Sequence, residues 1–445
     1  MIHRLFIANR GEIALRVIRT ARRLGMTTIL GASAADLTSL PTCLADEVVG
    51  IGPAPSSTSY LSIDNIVAAA RQARADALHP GYGFLSENAA FAQALGIAGI
   101  RFTGPDVVSL QAMGDKLMAR RIGAEAGLPV VPGGEAADRE AVHRRAADTG
   151  YPLLLKAVAG GGGRGMKKVE RPGDLDHQID LAMAEARAAF GDPRIYVERF
   201  IGHGRHVEVQ VLSDGQRAIH LGTRDCSIQR RFQKLVEEAP APGLPAAVHD
   251  ALTAAAVRLA RHLHYRGAGT VEFLVDCDGF EFYFLEMNAR IQVEHPVTEA
   301  ITGIDLVEQQ LLVAEGQPLG ITQDHVKCSG HAIEVRINAE DWRRDFRPCP
   351  GRVSRACWPA GPGIRVDTHI ARGSVVPPYY DSLLGKVIVA GSNRSETVAR
   401  LGEALECLDI QGVQTTAGLQ RRIAADPRFL AGGVDTRFFE GMGHD

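Results

Sequence analysis

Between Glu286 and Glu294 the chain reads Glu-Met-Asn-Ala-Arg-Ile-Gln-Val-Glu, a strict alternation of polar and apolar side chains. In an extended segment, residues two apart share a face. One face then carries Glu286, Asn288, Arg290, Gln292 and Glu294; the other carries Met287, Ala289, Ile291 and Val293. Such a polar row offers metal ligands, an anion clamp and a base. Upstream, the β-branched and aromatic runs 269–275 and 280–286 flank Asp276-Cys277-Asp278-Gly279, a hairpin signal. Closing the hairpin brings Glu272 beside Glu286. With the Asn288 amide these make an all-oxygen set suited to Mg²⁺ or Mn²⁺ rather than zinc. A cation between the two carboxylates would remove their repulsion. The plain alternatives are a half-buried strand with a wetted polar face and a pair of solvated surface acids.

A second constellation lies at Ala159-Gly160-Gly161-Gly162-Gly163-Arg164-Gly165, between the strand-like runs 151–158 and 166–169. Consecutive glycines expose backbone N–H groups, as a phosphate cradle requires. Lys156, on the strand leading in, is placed to reach phosphate oxygens. The Gly-Lys-Ser/Thr ending of a Walker loop is missing, and the loop joins two strands instead of opening a helix. A hairpin tip without ligand is the alternative.

The elements that hold these residues alternate at the start of the chain. Leu5–Ala8 reads as strand, Glu12–Leu24 as helix and Thr27–Leu30 as strand. Strands at Glu47–Ile51 and Ala75–Leu78 follow, with a helix over 63–74 between them. That order argues for an open parallel sheet. Asn9-Arg10-Gly11-Glu12 stands where a dinucleotide fold would carry its Gly-rich turn, which argues against a nicotinamide enzyme. The loop His79–Phe84 leaves a strand end, where ligand contacts concentrate. A second unit begins near Pro129–Gly134, and the strand-rich remainder closes with helices near 396–408 and 416–424.

With 445 residues, 45% apolar and 23% charged, the chain can bury a large core and divide into two or three domains. A net charge of −3 gives no sign of a nucleic-acid binder. No apolar run approaches the roughly 18 residues of a membrane span, and the N-terminal stretch has no signal-peptide pattern. The 7 cysteines are scattered and never in a C-x-x-C spacing, which predicts reduced thiols and a cytoplasmic protein.

A basic strand residue, a glycine cradle and an acidic metal hairpin together resemble the ATP-grasp fold. Nearly end to end, the chain resembles the biotin carboxylase subunit of biotin-dependent carboxylases, of the acetyl-CoA carboxylase type. The matching stretches run in order: Ile7–Ala14, His79–Asn88, Met113–Lys116, Arg205–Gln210, Glu237–Pro242, Glu286–Glu299, Arg336–Asp341 and Pro377–Ser382. The resemblance implies an α/β and α+β chain: a Rossmann-like open parallel sheet, then an ATP-grasp fold with a small lid, then a β-rich C-terminal domain. The expected divisions are 1–113, 114–203, 204–330 and 331–445.

It also implies the reaction: ATP phosphorylates bicarbonate to carboxyphosphate, and the CO₂ released is attacked by a deprotonated ureido nitrogen of biotin. Lys116, Lys156, Glu198, Ile201, His206 and Gln229 would line the nucleotide site, with Gly161, Gly162 and Gly163 over the phosphates. Glu272, Glu286 and Asn288 would hold the metal ions, Mg²⁺ or Mn²⁺. Arg290, Gln292 and the Val293 backbone, with Lys234, would hold bicarbonate, whose planar oxygens match a guanidinium fork. Glu294 would be the base. Arg336 would stabilise enolised biotin, and Tyr82 would lie near the biotin ring.

Three departures from the family stand out. Phe232 occupies a position where histidine is usual, which predicts weaker ATP binding. Val158 and Ala159 replace small residues at the loop hinge and stiffen it. Arg23 and Ile364 replace an acid and an aromatic at a dimer contact, although Arg16 and Arg19 remain; a homodimer is expected with less support. No biotinyl-lysine motif and no carboxyltransferase segment occur in the chain. A free-standing subunit is therefore expected, working with a biotin carboxyl carrier protein and carboxyltransferase subunits, without nucleic acid or membrane. Another ATP-grasp ligase and a non-catalytic nucleotide-binding regulator are the competing functions.

Overall fold

The computed structural model describes residues 1–158, 166–231 and 233–442. Gly161, Gly162, Gly163, Ala159 and Phe232, all singled out above, lie outside the described residues.

The N-terminal part is a five-stranded parallel sheet built from β1 (Arg4–Ile7), β2 (Thr27–Ser33), β3 (Glu47–Gly52), β4 (Ala77–His79) and β5 (Arg101–Phe102), in the order β3-β2-β1-β4-β5. Leu5, Phe6 and Ile7 are all fully buried, as expected for a strand covered on both faces. Helix α1 (Gly11–Arg23) follows β1 and buries Ile13, Ala14, Val17, Ile18 and Ala21, an apolar stripe at helical spacing. At the carboxyl end of β4 the chain turns through Gly81, at φ +64°. A Cβ there would stand 2.7 Å from Asn9 Nδ2, the atom that donates to the Pro80 and Tyr82 carbonyls at 2.7 and 2.8 Å. Only glycine fits this approach, and it sets where Tyr82 points.

A small four-stranded antiparallel sheet comes next, ordered Gly133–Ala136, Ile195–Arg199, Leu153–Ala157, Lys167–Val169. Helices Arg139–Thr149 and Leu175–Phe190 cover it, around Val142, Leu153, Leu155, Ile179, Ile195 and Val197. It has its own core, separate from the rest.

The largest sheet has eight antiparallel strands: β6 (Gly204–Asp214), β7 (Ala218–Arg230), β8 (Gln233–Ala239), β9 (Arg266–Asp276), β10 (Phe282–Asn288), β11 (His331–Asn338), β12 (Ile364–Thr368) and β13 (Leu383–Gly391). Their order is β10-β9-β6-β7-β8-β11-β13-β12. Helices Arg394–Cys407 and Ala417–Ala425, close to where the sequence predicts them, pack on the C-terminal strands around Ile333, Val335, Val387, Leu401 and Ile423. One core joins the two large sheets: Leu5, Ile7 and Ile13 share a cluster with Leu212, Leu221, Ala268 and Leu311. That shared core fixes the Tyr82 loop against the glutamate-rich strands.

Candidate active site

The hairpin forms as its turn chemistry predicts: β9 and β10 pair antiparallel, with Glu272 opposite Glu286 and Thr270 opposite Asn288. β6 lays Glu208 opposite Glu272, and β7 lays Arg224 opposite Glu208. β8 brings Lys234 opposite Gln229 and Glu237 opposite Glu334 of β11, two residues before Arg336.

The single extended face expected from Glu286 to Glu294 stops at Asn288, where β10 ends. Beyond it two backbone groups find side-chain partners in place of a neighbouring strand. The Ala289 N–H donates to Glu87 Oε1 at 2.9 Å, and the Val293 carbonyl accepts from Lys386 Nζ at 2.6 Å. Glu294 then caps the helix α2 (His295–Thr302), whose first turn holds Pro296. With its hydrogen-bonding groups taken this way, the segment folds into a turn instead of a strand.

The polar side chains converge nonetheless. Asn288 Nδ2 and Gln292 Nε2 donate to Glu272 Oε1 at 2.9 and 3.0 Å. Arg290 donates to Asn288 Oδ1 and Gln292 Oε1 at 2.9 and 2.6 Å, and to Glu87 Oε2 at 2.9 Å. Lys234 Nζ reaches three glutamates at once: Glu208 at 2.7 Å, Glu272 at 2.9 Å and Glu294 at 2.7 Å. The other Glu294 oxygen accepts from Arg336 Nη2 at 3.0 Å, and Arg336 is held by Glu237 at 2.6 Å. His206 Nε2 stands 2.8 Å from Glu272 Oε2.

Burial sets the electrostatics. Glu294 is fully buried. Burial opposes its charge, but Lys234, Arg336 and Arg224 hold it well below the usual carboxylate range. Glu272 is depressed for the same reason, by Lys234 and His206 against burial. Glu286 moves the other way: burial first, then the Glu272 charge, raise it. The Glu286 backbone is paired in the hairpin, while among the described residues its carboxylate has no hydrogen bond or ion pair. Burial also works against the Lys234 ammonium, yet Glu208, Glu272 and Glu294 push it well above its ordinary value. Glu237 rises to about 7, because burial outweighs Arg336.

Tyr82 stands at the far side, its hydroxyl donating to Glu12 Oε1. Burial and then Glu12 lift the phenol well above its ordinary value. It lines a cavity of about 100 Å³ with Arg10, Gly83, His369 and Asp381.

The expected nucleotide residues are spread more widely. Lys156 Nζ pairs with Glu198 Oε1 at 2.5 Å across two strands of the small sheet. Lys116 opens the helix Lys116–Glu125 and is exposed, its charge acting on Glu286. Ile201 lies half-buried between Ile195–Arg199 and β6.

Several supporting residues escape the sequence reading. Glu87 grips both Ala289 and Arg290, and Arg224, fully buried, links Glu208, Gln210, Thr270 and Thr298. Lys386 is also fully buried. A lone lysine within Leu383-Leu384-Gly385-Lys386-Val387-Ile388-Val389 was the available signal, since an unpaired ammonium has no place in an apolar strand.

Family models match the chain in three consecutive stretches: the biotin carboxylase N-terminal domain at 1–110, the ATP-binding domain of the carbamoyl-phosphate synthase L chain at 115–322, and the biotin carboxylase C-terminal domain at 334–441. The chain is 50% identical to the biotin carboxylase of Nostoc sp. over 443 residues, covering 99% of both. Among solved structures, a Campylobacter jejuni biotin carboxylase complex is similar, with TM-score 0.93, 45% identity and 99% of each chain covered. The biotin carboxylase domain dimer of Hydrogenobacter thermophilus 2-oxoglutarate carboxylase, with MgADP and bicarbonate, matches with TM-score 0.90 and 43% identity, covering 99% of this chain and 97% of that one.

Proposed function

This chain belongs to the biotin carboxylase family, and we propose from that premise which of its residues carry the ATP-dependent carboxylation of biotin. The chain is an ATP-grasp ligase that uses ATP, Mg²⁺, bicarbonate and biotin. An unrelated ligase does not fit that membership, and the intact set Glu272, Glu286, Arg290, Glu294 and Arg336 weighs against a non-catalytic regulator. The observation that carries the residue assignment is the Lys234–Glu294–Arg336 cluster, where one buried carboxylate meets two cations within 3.0 Å.

Glu294 is the base for bicarbonate. Its depressed value keeps it ionised at neutral pH. An anion seated between Arg290, Gln292 and Lys234 would draw the Lys234 charge away from Glu294. The carboxylate would become more basic at the moment its proton acceptance is needed. Arg336, turned between Glu237 and Glu294, supplies positive charge for the developing oxyanion of biotin. Tyr82 forms the wall on the biotin side.

Glu272, Glu286 and Asn288 can provide oxygen ligands; burial and then the Glu272 charge raise Glu286, and a divalent cation would offset both, so this donor set fits Mg²⁺ or Mn²⁺. When bound, the cation neutralises charge on the transferring phosphoryl group. Lys116, Lys156, Glu198, Ile201, His206 and Gln229 bind the nucleotide. Lys156, released from Glu198, meets phosphate oxygens from the small sheet.

Biotin arrives on a separate carrier protein, with carboxyltransferase subunits completing an acetyl-CoA or related acyl-CoA carboxylase. The working unit is a homodimer. Arg16 is here committed to Glu299 and Asp305, and Arg23 to Asp305 and Glu308, within one protomer. Ile364, half-buried, opens β12. Among the described residues no helix is long and apolar enough to cross a membrane, and the protein works in the cytoplasm.

The test is ATP hydrolysis by the purified chain with Mg²⁺, with and without bicarbonate and free biotin. Turnover that needs bicarbonate and rises with biotin supports the assignment when Glu294→Gln removes it. Unchanged turnover in that variant refutes the base.

A further inference from the structure

We infer that Lys386 and Glu12 are positioning residues that tie the bicarbonate turn to the biotin wall of the site. The inference rests on the roles given above to Val293, Glu294 and Tyr82. Lys386 projects from β13, fully buried, and donates to the Val293 carbonyl at 2.6 Å. The same Nζ stands 3.2 Å from Glu12 Oε1, in the first turn of α1. That oxygen also accepts the Tyr82 hydroxyl. One continuous polar chain therefore runs from the Val293 carbonyl through Lys386 and Glu12 to Tyr82.

Its members come from three distant stretches of sequence. Lys386 belongs to the C-terminal part, Glu12 and Tyr82 to α1 and the loop after β4 in the N-terminal part, and Val293 to the turn after β10. Burial opposes the ammonium, as does Arg365, but Glu12, Glu334 and Asp367 together outweigh them and the cation persists. Stability alone does not account for such a pair. Well-packed apolar residues in place of a buried ion pair are often neutral or stabilising, and β13 is otherwise apolar around Lys386. What the pair does locally is fix a carbonyl that no strand holds. Val293 sits between Gln292 and Glu294, so its peptide orientation sets both an anion ligand and the base. At the other end, any ligand that shifts the Tyr82 ring acts on Glu12, and through Lys386 on that peptide. Glu12 Oε2 is buried and, among the described residues, without a hydrogen-bond partner. Glu12 thus has one free oxygen onto which the Tyr82 or Lys386 contact can move.

The experiment is steady-state ATP hydrolysis with Mg²⁺, varying ATP, bicarbonate and free biotin in turn. The double variant Lys386→Met/Glu12→Gln removes both charges of the pair together; buried Glu334, whose carboxyl burial already pushes well above its ordinary value, also loses the lysine and takes up a proton more readily. The double variant is expected to fold, with the KM values for bicarbonate and biotin each raised about tenfold and the ATP KM within about twofold of the parent. Glu12→Gln alone is isosteric and still accepts from Tyr82. It is expected to raise the bicarbonate KM about threefold, although Glu12 touches none of the bicarbonate residues. Lys386→Met alone strands Glu12 and is read only against the double. Unchanged bicarbonate KM in Glu12→Gln overturns the inference, as does a double variant in which all three KM values rise together. Arg290→Ala is the control for the site itself. A raised bicarbonate KM there with no response in the Glu12 variant sinks the inference alone; no response in either sinks the site assignment.

Discussion

Lys234 and Lys156 both face glutamate, and the contrast between their surroundings divides the site in two. Lys234 is 12% exposed and held by three carboxylates, two from neighbouring strands and one from the turn that caps α2. Lys156 is 32% exposed and held by one, Glu198, on a small sheet with its own core. At the first, every charge is committed to another before any ligand arrives, so the geometry is preorganised for proton and anion chemistry. At the second, a single partly wetted pair leaves the lysine free to exchange partners with an incoming phosphate. On the proposed assignment, the proton and anion chemistry lies on the eight-stranded sheet, and the separately packed small sheet adds Lys156 to the nucleotide site.

The sharpest way to break that division is Glu294→Gln. Removing the base is expected to lower bicarbonate-dependent ATP hydrolysis by between about a hundredfold and ten-thousandfold, with nucleotide binding by calorimetry retained. Lys234→Met should come next, since it strands buried carboxylates; a loss of about 3–5 kcal/mol in denaturant unfolding is expected, with activity lost. Lys156→Met is the counterpart. It should cost less than about 1 kcal/mol of stability while raising the ATP KM roughly tenfold. If both lysines cost the same stability, the division is wrong. Glu87→Gln tests whether preorganisation extends to Arg290, with a bicarbonate KM raised about tenfold and an unchanged ATP KM.

The smallest effect is in pH dependence. Glu237 titrates at about 7 in the fold against 4.5 ordinarily, so it binds its proton more tightly folded than unfolded. Its contribution to stability is complete below 4.5 and is lost as pH rises through about 7. Glu272 and Glu294, both depressed, behave oppositely: their contribution is present above the ordinary carboxylate range and lost as pH falls below it. Thermal midpoints of Glu237→Gln and the parent, measured from pH 5 to 8, should therefore shift in the variant's favour as pH rises. A constant difference refutes the Glu237 assignment.

Much of the architecture was legible because it is local. The Asp-Gly turn and its flanking apolar runs announce the hairpin that sets Glu272 against Glu286, and apolar periodicity marks α1 and the strands around it. Periodicity failed at Ala289–Glu294, where alternation suggests a strand. There the backbone is satisfied by Glu87 and Lys386, residues about two hundred positions before and ninety after. A window on sequence cannot contain such partners. Arg224 escaped for the same reason: its value lies in four side chains gathered from three elements, β6, β9 and α2.

By itself, then, the sequence determined which chemical groups are present, the strand and helix periods that carry most of them, and, through a long ordered resemblance, the family and its reaction. Tertiary structure alone decided who neutralises whom. Lys234, expected simply to hold an anion, is the hub of three glutamates, and Glu286 is left crowded beside Glu272. Propensity and turn chemistry act over a few residues along the chain. Charge and burial act through space, so the state of Glu294, Glu286 or Lys386 exists only once distant strands have been packed together.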